Sequence, residues 1–204
     1  LISFLEIPAS DIHLLQLAPG EFLFVAIKVA GYSGIIVSIP YIFYQVILFI
    51  SPGLTKKEKS LILPAVFGSG LLFFLGLLFS WWILVPAAIN FFINFGADIV
   101  EPTWSIERYF DFVLLLMSST AIAFQLPVLQ FILGSLGIIT TAKMISNWKI
   151  VVISSAILSA VITPSTDPLT MSLLSISIIF LFFVGAGLTY LSENLKSKTL
   201  SSSH

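Results

Sequence analysis

The stretch Ser51-Pro-Gly-Leu-Thr-Lys-Lys-Glu-Lys59 decides the fold of this chain. It holds four of the nineteen charged residues in four consecutive positions. Long uncharged windows flank it: Val29 to Thr55 is 27 residues and Ser60 to Ala97 is 38. Ser51-Pro52-Gly53 is a turn signal, because Pro fixes φ and lacks an N–H while Gly tolerates positive φ. The stretch therefore reads as a tight charged loop between two apolar segments. Three lysines at such a loop set topology and touch lipid phosphates. The carboxylate of Glu58 among them asks for a separate explanation.

Composition extends this reading to the whole chain. Hydrophobic residues make up 58% and charged residues 9%, against about 25% charged in a soluble domain. A mean hydropathy of +1.09 and several apolar windows define an all-α, polytopic helical membrane protein. No basic stripe for nucleic acid exists. The chain has no Cys, which excludes disulfides and thiolate metal sites. His13 and His204 are too few for a histidine site.

Outward from the loop, five spans are expected between residues 22 and 191. The first runs from Phe22 to Ile50 around Pro40. The second lies in the Ser60–Ala97 window, too short for two spans, and is bent or ended by Pro86. The third runs from Phe112 to Leu136, the short fourth from Ile150 to Thr166, and the fifth from Leu169 to Leu191. Thr163-Pro-Ser-Thr-Asp-Pro168 is a tight turn. Residues 1–21 form an external segment, neither signal peptide nor span. The chain starts at Leu1, which reads as a start inside a longer protein. Residues 192–204 form a polar inner tail that is expected to fray. The whole is one membrane domain.

The charges orient it. Lys56, Lys57, Lys59, Lys143, Lys149, Lys196 and Lys198 fall on one side, seven of nine cations. The other side holds Glu6, Asp11, Glu21, Asp98, Glu101, Glu107, Asp111 and Asp167, with Lys28 near the border. The positive-inside rule puts the lysine side in the cytoplasm, or in the stroma of a plastid. Eight lysines to one arginine, with abundant Phe and Ile, fit an AT-rich genome such as an organelle's.

No enzymatic constellation is present: no His-Glu-x-x-His, Gly-x-Ser-x-Gly or Walker loop, and the protein reads as a non-enzyme without cofactor or metal. Gly68-Ser-Gly70 and Gly185-Ala-Gly187 read as small-residue patches for close helix packing. Trp81, Trp82, Trp104 and Trp148 are either interfacial anchors or packed aromatics. Gln45 and Gln125 are amides in apolar stretches. An unpartnered amide costs roughly 4–8 kcal/mol on the hydrocarbon scale, so each is expected to face protein or water. Pro127 frees a carbonyl near Ala123, making a polar locus beside Gln125.

Several stretches carry a family resemblance. Pro40-Tyr-Ile-Phe-Tyr-Gln45, the loop Ser51–Glu58, Ala97-Asp-Ile-Val-Glu-Pro102, Ala123-Phe-Gln-Leu-Pro127 and Leu158-Ser-Ala-Val-Ile-Thr-Pro-Ser-Thr-Asp-Pro168 resemble TatC. TatC is the polytopic subunit of the twin-arginine protein translocase. The resemblance covers nearly all of residues 16–191 and is nearest the cyanobacterial and plastid branch. The family has six spans with both termini inside, so it implies that a first span and the inner segment before it precede the five found here. It implies that Glu58 binds the paired arginines of a signal peptide, with Phe49, Lys56 and Lys57 at the same site. A carboxylate accepts a guanidinium in a bidentate fork that lysine cannot copy. Relatives outside this branch carry a glutamate at the position of Gln125, and the resemblance implies a contact there with single-span TatA and TatB helices. Gln45 and Asp167 are further polar or turn positions. Also implied are other TatC copies and membrane lipids as partners, and transport of folded proteins driven by the proton-motive force without nucleotide. The membrane would be a plastid thylakoid, or alternatively a cyanobacterial thylakoid or bacterial inner membrane. A small-solute permease is the alternative, disfavoured because no span carries paired ionisable groups or an inverted repeat. A membrane-embedded hydrolase lacks a nucleophile–base pair.

Overall fold

The computed structural model of the protein describes residues 1–9, 13–50, 62–95, 103–163 and 167–201. The long elements are helices, because apolar segments of this length satisfy their backbone polar groups internally. Helix α2 (Glu21–Ile50) follows a short helix α1 (Ile2–Leu5). Gly20, at φ 81°, makes the turn into it, and Glu21 sits in its first turn, where the helix dipole favours an acid. The helix passes through Pro40 at the loss of one backbone bond. Its 30 residues rise about 45 Å, more than the roughly 30 Å hydrocarbon core.

The second span is one rod in three parts: α3 (Ile62–Phe79), a π-helical turn (Ser80–Leu84) and α4 (Val85–Asn94). The bend expected at Pro86 is a wide turn immediately before it, in which the Val85 N–H reaches back to the Ser80 carbonyl. The third span is α5 (Ile106–Ala123) and α6 (Leu126–Ser135), interrupted at Phe124 and Gln125. Pro127 lies in the first turn of α6, where its missing N–H is tolerated. Gly137, at φ 73°, closes α6: its N–H bonds to the Gly134 carbonyl and that of Ile138 to Leu133, a Schellman stop.

Next come α7 (Thr141–Ser146), α8 (Trp148–Ile162) and α9 (Pro168–Ser201). Among the described residues, four helical stretches are long and apolar enough to cross a membrane: Glu21–Val46, Pro64–Asn94, Ile106–Ser135 and Pro168–Asn194. The fifth, α8, has 15 residues and rises only about 22 Å. The polar tail is helical as far as Ser201, continuing α9 rather than fraying.

Residues 1–9 and 13–15 pack over one end of the bundle. Strand β1 (His13–Leu15) pairs in parallel with β2 (Thr103–Ser105), His13 opposite Thr103. Leu5 is buried, its carbonyl accepts from the Tyr109 hydroxyl at 2.7 Å, and Phe4 stacks on Trp81 at 4.5 Å. The core beneath joins Val25 and Val29 of α2, Leu84, Val113 and Leu116, and Leu174 and Ile178 of α9. Trp81 is packed in this core, whereas Trp82, beside it, is 70% exposed.

Candidate functional site

Helix α2 is buried at Glu21, Val25 and Val29 only, among its described side chains. Beyond Val29 its second half is open, and Phe49, in the last turn before the charged loop, is 86% exposed. Glu58, Lys56 and Lys57 lie outside the described residues. Gln45 is exposed, and its amide nitrogen donates to the Tyr41 hydroxyl one turn earlier at 2.5 Å. Gln45 stands 24 residues beyond Glu21, a rise of about 36 Å. That exceeds the roughly 30 Å hydrocarbon core, so a helix running close to the membrane normal from Glu21 carries Tyr41, Tyr44 and Gln45 to the far interface, where a polar strip is tolerated.

Gln125 occupies the break in the third span. Its Nε2 donates to the Ser69 carbonyl of α3 at 3.2 Å, so the amide ties the second span to the third. Its Oε1 is buried and meets no hydrogen-bonding partner among the described residues. Pro127 lacks the N–H that the Ala123 carbonyl would accept, so polar capacity collects on this one turn.

Beyond the break, α6 packs closely on α9. A Cβ on Gly185 would stand 1.7 Å from Gln130 Oε1 and 2.8 Å from the Pro127 Cα, and a Cβ on Gly134 would meet Thr189. The close packing expected of the second glycine patch thus belongs to Gly185. Gly187, Gly68 and Gly70 meet nothing within 4 Å among the described residues, which departs from the packing role expected of them. A polar seam follows the contact. Thr189 Oγ1 donates to the carbonyls of Gln130 (3.2 Å) and Gly185 (3.0 Å). Ser135 and Ser192 share a hydrogen bond of 3.1 Å, and the Thr141 N–H donates to Glu193 at 3.0 Å, fixing the start of α7 to the end of α9.

Two charged groups escaped the sequence reading. The buried Glu21 carboxylate accepts from the Leu17 N–H (2.6 Å), the Ala18 N–H (3.1 Å), the Glu107 N–H (3.2 Å) and the Ser105 hydroxyl. It pins the start of α2 to the start of α5. Lys28, two turns into α2, pairs with Glu107 at 2.7 Å and Asp111 at 2.8 Å. The signal for the ion pair was present: a lysine in an apolar window, and two acids at i, i+4 on one face of a later helix. Glu21 carried no comparable signal, since its partners are mostly backbone groups. Asp167 is a cap: its carboxylate accepts from the Thr170 N–H at 2.7 Å and from the Thr170 hydroxyl, while Pro168 opens α9. An open groove of about 460 Å³ between α4 and α9 is lined, among the described residues, by Ala87, Asn90, Phe91, Asn94, Phe95 and Leu169, none of them ionisable.

Four helices long and apolar enough to span, a shorter fifth, and polar groups spent on tying helices together, all among the described residues, define a polytopic helical membrane protein. The family described as "Sec-independent protein translocase protein (TatC)" matches residues 1–177. The Sec-independent protein translocase protein TatC of Synechocystis sp. is 52% identical over 187 residues, covering 92% of this chain and 74% of that protein. The chloroplastic TATC of Arabidopsis thaliana is 48% identical over 194 residues, covering 94% of this chain and 57% of that protein. A crystal structure described as the twin arginine translocase receptor TatC superposes with a TM-score of 0.79 at 32% identity, covering 94% of this chain and 86% of that one. The chain belongs to the TatC family, the membrane subunit of the twin-arginine, Sec-independent protein translocase. It is a translocase component and not an enzyme.

Proposed function

We propose that this chain is the core of a receptor complex that binds twin-arginine signal peptides and passes folded precursors across the membrane. Glu58 accepts the arginine pair, with Phe49, Lys56 and Lys57 around it, on the cytoplasmic or stromal side. The observation that carries this reading is the 86% exposure of Phe49 on the turn that leads into the charged loop. An aromatic so placed gives the apolar part of a signal peptide a surface nine residues before the carboxylate that takes its arginines. The net charge of the loop is +2, so affinity rests on local bidentate geometry at Glu58 rather than on the field of the loop. TatA- and TatB-like single-span helices and further TatC copies complete the complex, and the proton-motive force drives transport. Relatives from a cyanobacterium and a chloroplast favour a thylakoid membrane.

For Gln125, the bond to Ser69 favours an internal link between two spans. Contact with a partner helix is the second reading; it requires the buried Oε1, without a hydrogen-bonding partner among the described residues, to become accessible.

The test is precursor binding to the full-length protein. Glu58→Gln is expected to leave membrane insertion intact and weaken binding about ten- to a hundredfold, the loss of a charge-assisted pair worth roughly 1.5–3 kcal/mol. Lys57→Gln is expected to cost less, its charge being like that of the ligand. Unchanged precursor affinity in Glu58→Gln overturns the proposal.

A further inference from the structure

The second and third spans meet along a stripe of small residues. A Cβ on Gly76 would stand 2.8 Å from the Ala121 Cα and 2.9 Å from Phe124 Cγ. The Phe79 and Phe124 rings are 5.4 Å apart. The helices run antiparallel, since Ser69 meets Gln125 while Gly76 meets Ala121. One turn beyond Gly76 is Ser80, and one turn before Phe124 is Thr120. Gly76 sits between Ala121 and Phe124, so one antiparallel turn further on Ser80 lies between Met117 and Thr120.

Both residues are fully buried, and both stand near the midpoints of the spans Pro64–Asn94 and Ile106–Ser135. Neither Ser80 Oγ nor Thr120 Oγ1 meets a hydrogen-bonding partner among the described residues. Many helical hydroxyls in this chain bond back to a carbonyl one turn earlier, as Ser33, Ser38 and Ser118 do. Ser80 and Thr120 do not, and their place on neighbouring turns of adjacent helices marks one locus. The backbone adds to it. Ser80 opens the π-helical turn, and the Val85 N–H is committed to the Ser80 carbonyl. Pro86 then supplies no N–H to the Trp81 or Trp82 carbonyl behind it.

We propose that an ordered internal water binds between the second and third spans, bridging Ser80 Oγ and Thr120 Oγ1. Neighbouring hydroxyls that do not bond to each other are joined by a small molecule that both donates and accepts. The core around this level is apolar, with Leu84, Val113 and Leu116, so no carboxylate is at hand to balance a cation. Water bound in this way satisfies buried polar groups where a wide turn has loosened the helix. The site links the π-helical turn to the third span about one turn from the break at Gln125.

The test is a double-substitution cycle on the full-length protein in detergent, with Ser80→Ala, Thr120→Val and both together, paired with a high-resolution structure of the parent. A bridging water predicts that each single substitution lowers the unfolding midpoint by a few degrees. The pair then lowers it no further than the larger single effect, because either change releases the same molecule. In the structure, density for one water lies within hydrogen-bonding distance of both oxygens. Orphaned hydroxyls predict the opposite sign, since removing a buried polar group without a partner stabilises. Additive shifts, raised midpoints, or both hydroxyls bonded back to their own helices with no water between them overturn the proposal.

Discussion

Alanine at Gly185 is expected to destabilise the protein although it improves the helix propensity of α9. On propensity alone, Gly→Ala inside a helix gains about 0.5–1 kcal/mol. Packing opposes that gain. The new Cβ would stand 1.7 Å from Gln130 Oε1, the end of a side chain that is able to move, and 2.8 Å from the Pro127 Cα, which belongs to backbone and is not. Helices α6 and α9 must separate, and overpacking of this kind costs about 1–3 kcal/mol. The net loss is about 1–2 kcal/mol, or roughly 2–8 °C in the thermal midpoint of a chain of this size. Midpoints measured in detergent for three variants separate the contributions. Gly187→Ala, with nothing within 4 Å among the described residues, is expected to be neutral or stabilising. Gly185→Ala combined with Gln130→Ala is expected to recover only part of the loss, because the backbone contact remains. A Gly185→Ala protein as stable as the parent would refute the close packing of α6 on α9.

At Gln125, leucine removes the bond to Ser69 and is expected to cost about 0.6–2 kcal/mol. Copurification of single-span subunits that survives a measured drop in stability assigns the amide to the internal link. Loss of copurification in a stable protein assigns it to a partner. Gln125→Glu is expected to be tolerated with its proton retained. Lys28→Met strands Glu107 and Asp111, but all three side chains are partly exposed, so a loss of no more than about 1 kcal/mol is expected, recoverable in part by Lys28→Arg; a midpoint that does not move shows the pair to be idle. Because the chain lacks Cys, single cysteines report topology: Thr55, Ala142 and Ser197 are expected to label from the cytoplasmic or stromal side and Ala97 and Ser165 from the other. Opposite-side labelling at Thr55 and Ser197 contradicts the four spans expected between these positions, and with them the five-span count.

Much of the architecture was legible in the residues because lipid imposes a one-dimensional constraint. A window without charge that is long enough to cross must be a helix, so apolar length placed α2, the second rod, the third span and α9. Turn chemistry placed one boundary, Pro168 after Asp167, whereas the stop at Gly137 was found only in the structure. The motif Ala123-Phe-Gln-Leu-Pro127 marked the break in the third span, and Pro86 marked the bend in the second.

Which residues meet was decided by the tertiary structure. A single helix spacing does not tell Gly185, pressed on Pro127, from Gly187, open on the other side. Nor did it show that Gln125 reaches Ser69 while Gln45 bonds only within its own turn toward the boundary. Glu21 looked like a surface acid in the chain, yet it holds two helix starts together through backbone N–H groups that every residue carries. Apolar length and turn residues are local properties, set by the cost of exposing peptide groups to lipid. Partners across helices depend on register and rotation between rods, and those are fixed only when the small residues of one stripe close against another.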